Sequence, residues 1–183
     1  MAIVKARYTL GWKGGLISAR ASLNYMAQRP DLDGRQGERA LFSAQEDGIS
    51  VEEGQRVINE GKGQHYYRLI LNPGAGSEPK GDLQAWTREV MADLEQNRGR
   101  AVSWVAVVHD DHTRHAHVHV QALTDGLIRR PELHLLREVA NKTWAEELRV
   151  HQELRQDVLT LENEAKPKLE IQKVGLYGPE ESL

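Results

Sequence analysis

The sequence contains no cysteine. Disulfides, thiol nucleophiles, iron–sulfur clusters and zinc–thiolate sites are excluded together, and any bound metal must be held by His, Asp or Glu. No apolar run approaches the roughly 18 residues of a membrane span. The N-terminal MAIVKARYTLGWKGG has neither an apolar h-region nor a small-residue cleavage site, so a cytoplasmic protein without a lipid anchor is expected. An excess of either charge is also lacking: 24 basic against 27 acidic side chains give a net charge of -3. That balance argues against a general nucleic-acid coat, which leans on Lys and Arg. The average hides a gradient, because residues 1–40 carry 7 basic and 3 acidic side chains whereas 131–165 carry 4 and 8. A locally basic face is therefore compatible with the composition. With 16 Gly and 6 Pro in 183 residues there is no collagen-like or low-complexity character, and the length suits one domain with a modest core.

What is present reads as alternating strands and helices. Ile3 to Leu10 is rich in β-branched and aromatic residues and is closed by Gly11, Gly14 and Gly15, which predicts a strand. A helix is expected from Ser18 to Arg29, stopped by Pro30, with Ala19, Leu23, Met26 and Ala27 as its apolar stripe. At 100° per residue, Tyr25 lies about 150° from the centre of that stripe. Asp31 to Arg39 reads as a loop. Ser50-Val51-Glu52-Glu53 is a capping-box pattern opening a helix to Glu60, with Gly61 as its stop. Tyr66 to Leu71, before Asn72-Pro73-Gly74, predicts a second strand, and Leu83, Trp86, Val90 and Leu94 mark a helix from Asp82 to Asn97. Ala101 to His109 and His115 to Leu123 are strand-like runs joined by Asp-Asp-His-Thr-Arg, a connection short enough for a hairpin. A long helix should start at Pro131, bury Leu136, Ala140, Trp144 and Leu148, and run past Arg155; the stretch from Lys166 reads as a peripheral tail. The expected class is α+β, a central antiparallel sheet with helices packed on one face.

Five of the eight histidines, His109, His112, His115, His117 and His119, fall within eleven positions. In the strand after the turn, period two puts His115, His117, His119 and Gln121 on one face and Ala116, Val118, Val120 and Ala122 on the core face. If His109 pairs with His117 or His119 across the hairpin, all three imidazoles share one side of the sheet. Three neutral imidazoles hold a divalent cation without cancelling its charge and leave coordination positions open, which suits a catalytic rather than a closed structural site. Asp110 and Asp111 stand beside His109 in the turn, where either is placed to accept the distal N–H of a ligand. His65, His134 and His151 are expected at the surface.

The run His117-Val118-His119 resembles the His-hydrophobe-His signature of the HUH endonucleases, and the wider segment WVAVVHDDHTRHAHVHVQAL resembles the third motif of plasmid relaxases. Leu23-Asn24-Tyr25-Met26 resembles the first motif of the single-tyrosine mobilisation relaxases, which carry the nucleophilic tyrosine on a helix before the histidine pair. The resemblance covers residues 1–155 as a relaxase domain, leaving 156–183 as the end of a helix and a tail; the second relaxase motif is poorly defined. It implies an RRM/ferredoxin-like sheet and a DNA-nicking enzyme acting at an origin of transfer in plasmid mobilisation or conjugation. Accessory DNA-binding and secretion-coupling proteins are its implied partners. With no primase, helicase or secretion-signal region within the 183 residues, an isolated or excised relaxase domain is expected.

The implied chemistry is transesterification on single-stranded DNA. A cation held by His109, His117 and His119, with Mn²⁺ or Mg²⁺ foremost and Zn²⁺, Co²⁺ or Ni²⁺ as further candidates, would offset charge on the scissile phosphate. Tyr25 would attack in line, giving a 5′-phosphotyrosine and a free 3′-hydroxyl. A free phenol ionises near pH 10, so the nucleophile needs help in losing its proton; Asp111 is placed to act as base or, as favoured, to orient a ligand. Lys5, Arg7, Lys13 and Arg20 form the basic start of the chain, Trp12 offers a ring for base stacking, and Arg114 is a phosphate candidate. The competing readings are a replication initiator or transposase of the same superfamily attacking with Tyr177, a metal-dependent DNA-binding module without cleavage, and a cupin-like metalloenzyme. The last is weakened by its missing Gly-rich run and by the long helices.

Overall fold

In the computed structural model, the described residues are 1–30, 33, 34, 37, 39–74, 81–110 and 115–174, with side chains described as far as residue 162. Six strands form one antiparallel sheet: β1 (Ile3–Leu10), β2 (Leu41–Phe42), β3 (Asp47–Ile49), β4 (His65–Asn72), β5 (Ser103–His109) and β6 (His117–Thr124), in the order β1-β4-β6-β5-β2-β3. Four α-helices accompany them: α1 (Gly15–Gln28), α2 (Val51–Glu60), α3 (Leu83–Arg98) and α4 (Arg130–Val174). A short 3-10 helix, Gly11–Lys13, joins β1 to α1. The α+β class and the antiparallel sheet are those expected. The chain divides into two compact units, residues 1–147 and 148–183, and the sheet belongs to the first. No helix among the described residues is long and apolar enough to cross a membrane.

The central pair is the hairpin β5–β6, whose register sets Val105 opposite Gln121, Val107 opposite His119 and His109 opposite His117. Directly paired residues lie on one face of an antiparallel sheet. This face therefore carries Val105, Val107, His109, His117, His119 and Gln121, and β4 and β1 extend it with Arg68, paired to both Gln121 and Arg7. Helices α1 and α2 cover its apolar part: Ala19, Leu23, Met26, Ala27, Val51 and Ile58 pack with Val105 and Val107 in one buried cluster. The other face carries Tyr67, Val118, Val120 and Ala122, all buried. It is covered by α3 and the start of α4, whose Trp86, Val90, Leu94, Leu136 and Ala140 are buried, and the Tyr67 hydroxyl accepts from the amide of Ile128, just before α4, at 2.8 Å. Trp86 donates its indole N–H to the Ala140 carbonyl at 3.0 Å and stands edge-on to Trp144.

The layering thus differs from the one-sided packing expected from sequence. Helices flank both faces because β5 is buried on both: Trp104, Val105, Ala106 and Val107 form a continuous buried run, which a sheet with one wet face cannot accommodate. Helix ends follow their local chemistry. The Ser50 hydroxyl accepts from the Glu53 amide at 3.2 Å while the Glu53 carboxylate accepts from the Ser50 amide at 2.8 Å, completing the capping box of α2. Asp82 caps α3 through the amides of Gln84 and Ala85, and Gly99 ends it at a φ of 60°. Helix α4 runs on to Val174, past Lys166 where a tail was expected. The residues there are mostly Leu, Glu, Lys and Gln, strong helix formers that outweigh Pro167.

Candidate metal centre and adjoining groove

The hairpin register decides which histidines meet. His109 ends β5 and is fully buried; His117 and His119, two residues apart on β6, are half-buried on the same face. The His109 ring centroid lies 5.4 Å from that of His117 and 4.7 Å from that of His119, and the last two are 4.9 Å apart. One ring nitrogen from each comes within 4.8 Å of the others, and among the described residues this is the group of three placed to hold a metal ion.

Hydrogen bonds fix which nitrogens point inward. His109 Nε2 is 2.8 Å from the Met26 carbonyl, which can only accept, so Nε2 carries the proton and Nδ1 keeps the lone pair. His117 Nδ1 donates likewise to the His115 carbonyl at 3.1 Å, leaving its Nε2 as a ligand atom. These are backbone partners of the kind that orient metal-bound imidazoles. The buried Nδ1 of His119 has no hydrogen-bond partner among the described residues, while its Nε2 lies 3.2 Å from His117 Nε2. Two nitrogens each about 2.1 Å from one cation, set at roughly a right angle to each other, stand about 3 Å apart, so the donor set fits a divalent metal. Burial first, then the neighbouring His109 and His117 and the cations of Arg68 and Arg29, pull the His119 pKa down to about 3. The ring is neutral at physiological pH, as a ligand must be.

Tyr25 is 59% exposed on α1, off the stripe of Ala19, Leu23, Met26 and Ala27 that the same helix buries. It immediately precedes Met26, whose carbonyl meets His109. The Arg29 guanidinium lies 6.0 Å from the centre of the Tyr25 ring, one helical turn on. Tyr25 also lines a groove of about 440 Å³ between α1 and strands β1 and β4, together with Arg7, Thr9, Ser18, Ser22 and Arg68. Ser18, Ser22 and Tyr25, at positions i, i+4 and i+7, present one polar face of α1 to it. Gln121 reaches its floor, with its side-chain amide donating to the Tyr67 carbonyl at 3.0 Å.

The other sequence candidates are placed less closely. Of the early basic residues only Arg7 lines the groove; Lys5 is exposed on β1, and Trp12 and Lys13 are exposed on the 3-10 helix. Arg20 donates to Asn59 of α2 at 3.1 Å. Asp111, Arg114, His112 and Tyr177 lie outside the described residues. His134 is exposed with Glu138 at 3.4 Å, whereas His65 is half-buried with its ring 5.9 Å from that of Tyr8. Sequence reasoning missed Arg29 and Arg68. The signal for Arg29 was its i+4 spacing from Tyr25; that for Arg68 was a lone charge within an apolar strand. No family model, curated protein or solved structure matches this chain.

Proposed function

We propose that this chain is a single-strand DNA nicking and rejoining enzyme of the HUH type, a relaxase that starts plasmid mobilisation at an origin of transfer in the cytoplasm. The observation that carries the reading is the contact between His109 and the carbonyl of Met26. It ties the three-histidine cluster to the helix residue next to an exposed tyrosine, and this adds geometry to two motifs that in sequence are 84 positions apart, from Tyr25 to His109.

His109, His117 and His119 would hold a divalent cation, which supplies Lewis-acid stabilisation of charge on a phosphate's non-bridging oxygens. Tyr25 then acts as the nucleophile. Its phenol gives up its proton as the oxygen forms a bond to phosphorus, the bond from phosphorus to the 3′ oxygen breaks, and the departing oxygen takes up a proton as a 3′-hydroxyl, so no net proton is gained or lost. The phosphodiester is exchanged rather than hydrolysed, so the reverse step rejoins the strand. Arg29, beside the Tyr25 ring, restricts that ring and adds positive charge where the phosphate's charge increases.

The test is incubation with Mn²⁺ and labelled single-stranded DNA pools from candidate transfer origins, resolved on denaturing gels. A covalent adduct is expected with the native chain and none with Tyr25→Phe or in EDTA. An adduct that survives Tyr25→Phe would move the nucleophile elsewhere, with Tyr177 the next candidate. DNA binding with no adduct from any origin would favour a metal-dependent binding module.

A further inference from the structure

The register of β1 and β4 sets Arg7 directly opposite Arg68, both exposed on the face that carries the histidines. Like charges directly opposite one another in a sheet are destabilising. Three arginines elsewhere have carboxylate partners: Arg88 with Asp47, Arg98 with Glu132, Arg100 with Asp125. Among the described residues neither Arg7 nor Arg68 has an ion pair or side-chain hydrogen bond, and none of those that line the groove they share carries a carboxylate. A third observation concerns α1: the Ser22 hydroxyl, on the groove wall, is shielded from solvent and has no hydrogen-bond partner among the described residues. Two uncompensated guanidinium groups and a shielded hydroxyl around one concavity form a set of donors suited to an anion with several oxygens.

Its position narrows the anion. Arg68 is paired with Gln121, two residues along β6 from His119, a rise of roughly 7 Å. Tyr25 lies on the groove's α1 wall. We propose that Arg7 and Arg68, with Ser22, form a seat for a backbone phosphate of single-stranded DNA, one nucleotide away from the phosphate presented to Tyr25. This inference rests on the nicking reading for its ligand. The seat reads no base; it sets the register of the strand, so that one phosphate and not its neighbour faces the tyrosine.

The test uses the full chain with Mn²⁺ and a fluorescein-labelled mixed-sequence single-stranded oligonucleotide, following binding by anisotropy over a salt series. Each phosphate contact on a single strand contributes about 0.7 to the slope of log K against log salt. Arg68→Gln and Arg7→Gln should each lower that slope by about 0.7, whereas Arg68→Lys, which keeps the charge, and the remote Arg100→Gln should leave it near the native value. Unchanged Mn²⁺ affinity in the variants verifies that they are folded. The seat is overturned if Arg68→Gln binds DNA with the native slope, or if the native chain does not bind the oligonucleotide at all. Adduct formation on origin DNA, measured with the same proteins, separates the two ideas. An adduct with an unchanged slope removes the seat alone, while a lowered slope with no adduct removes the nicking reading and leaves a DNA-binding seat.

Discussion

At the scale of single residues, the histidine cluster couples stability to pH in a direction set by burial. The His119 pKa falls from the ordinary 6.5 to about 3. Between those values the unfolded chain takes up a proton that the folded chain refuses, so this contribution to stability is complete above pH 6.5 and is lost progressively as pH falls towards 3. With EDTA present, the urea midpoint of the native chain should drop between pH 7 and pH 5, and His119→Gln should show a shallower drop. Equal slopes for the two proteins would remove His119 as the cause. A divalent cation held by the folded cluster, and not by the dispersed imidazoles, would act on the same equilibrium. At a Mn²⁺ concentration of 100 times Kd it should add about 2.7 kcal/mol, seen as a raised melting temperature that EDTA reverses. His109→Ala should lose this response; a response that persists would place the cation elsewhere.

At the scale of elements, helix α1 is the part whose position matters most, because it supplies the Met26 carbonyl, Tyr25 and one wall of the groove. Its first residue, Gly15, is packed against the β1–α1 connection: a Cβ there would stand 2.5 Å from Tyr66 Cδ2 and 2.9 Å from the Leu10 carbonyl oxygen. Alanine in a helix gains up to about 1 kcal/mol over glycine, but the Leu10 oxygen is backbone and cannot rotate away. The clash prevails, and Gly15→Ala should destabilise by about 1–3 kcal/mol and weaken oligonucleotide binding as the groove wall shifts. Gly37→Ala, with open space around its Cβ, should leave the urea midpoint within about 0.5 kcal/mol of native. A fully stable Gly15→Ala would show that α1 moves freely on the sheet. The major elements were legible in sequence because each spans enough residues to show its period, as in the alternation His117-Val118-His119-Val120. Strands β2 and β3 were not: they have two and three residues, and β2 joins the sheet through the single pair Phe42–Ala106. Two residues display no alternation. Arg68 was hidden in a comparable way, since a single charge in an apolar strand acquires meaning only once register sets Arg7 across from it.

At the scale of the folded unit, residues 1–147, the sheet separates two tasks. One face carries the histidines, the paired arginines and α1, with solvent access through the groove; the other is sealed by α3 and the start of α4 over Tyr67, Val118 and Val120. The sealed layer carries much of the stability without touching the site. Trp86 is fully buried, bonds the Ala140 carbonyl and meets Trp144 with ring centroids 5.3 Å apart. Trp86→Ala should therefore cost about 3–5 kcal/mol, a large share of the roughly 5–15 kcal/mol available to a domain. Trp86→Phe keeps an aromatic ring and loses the indole N–H that donates to the Ala140 backbone carbonyl, at a cost of about 0.5–1.5 kcal/mol for that hydrogen bond. Because the intervening sheet is continuously hydrogen-bonded from β4 through β6 to β5, folded Trp86→Phe should bind Mn²⁺ with native affinity while its urea midpoint falls. Calorimetric titration of the metal beside urea denaturation checks both. A loss of Mn²⁺ affinity in step with stability would mean that the helical layer positions the histidines through the sheet, and that the two faces are one mechanical unit.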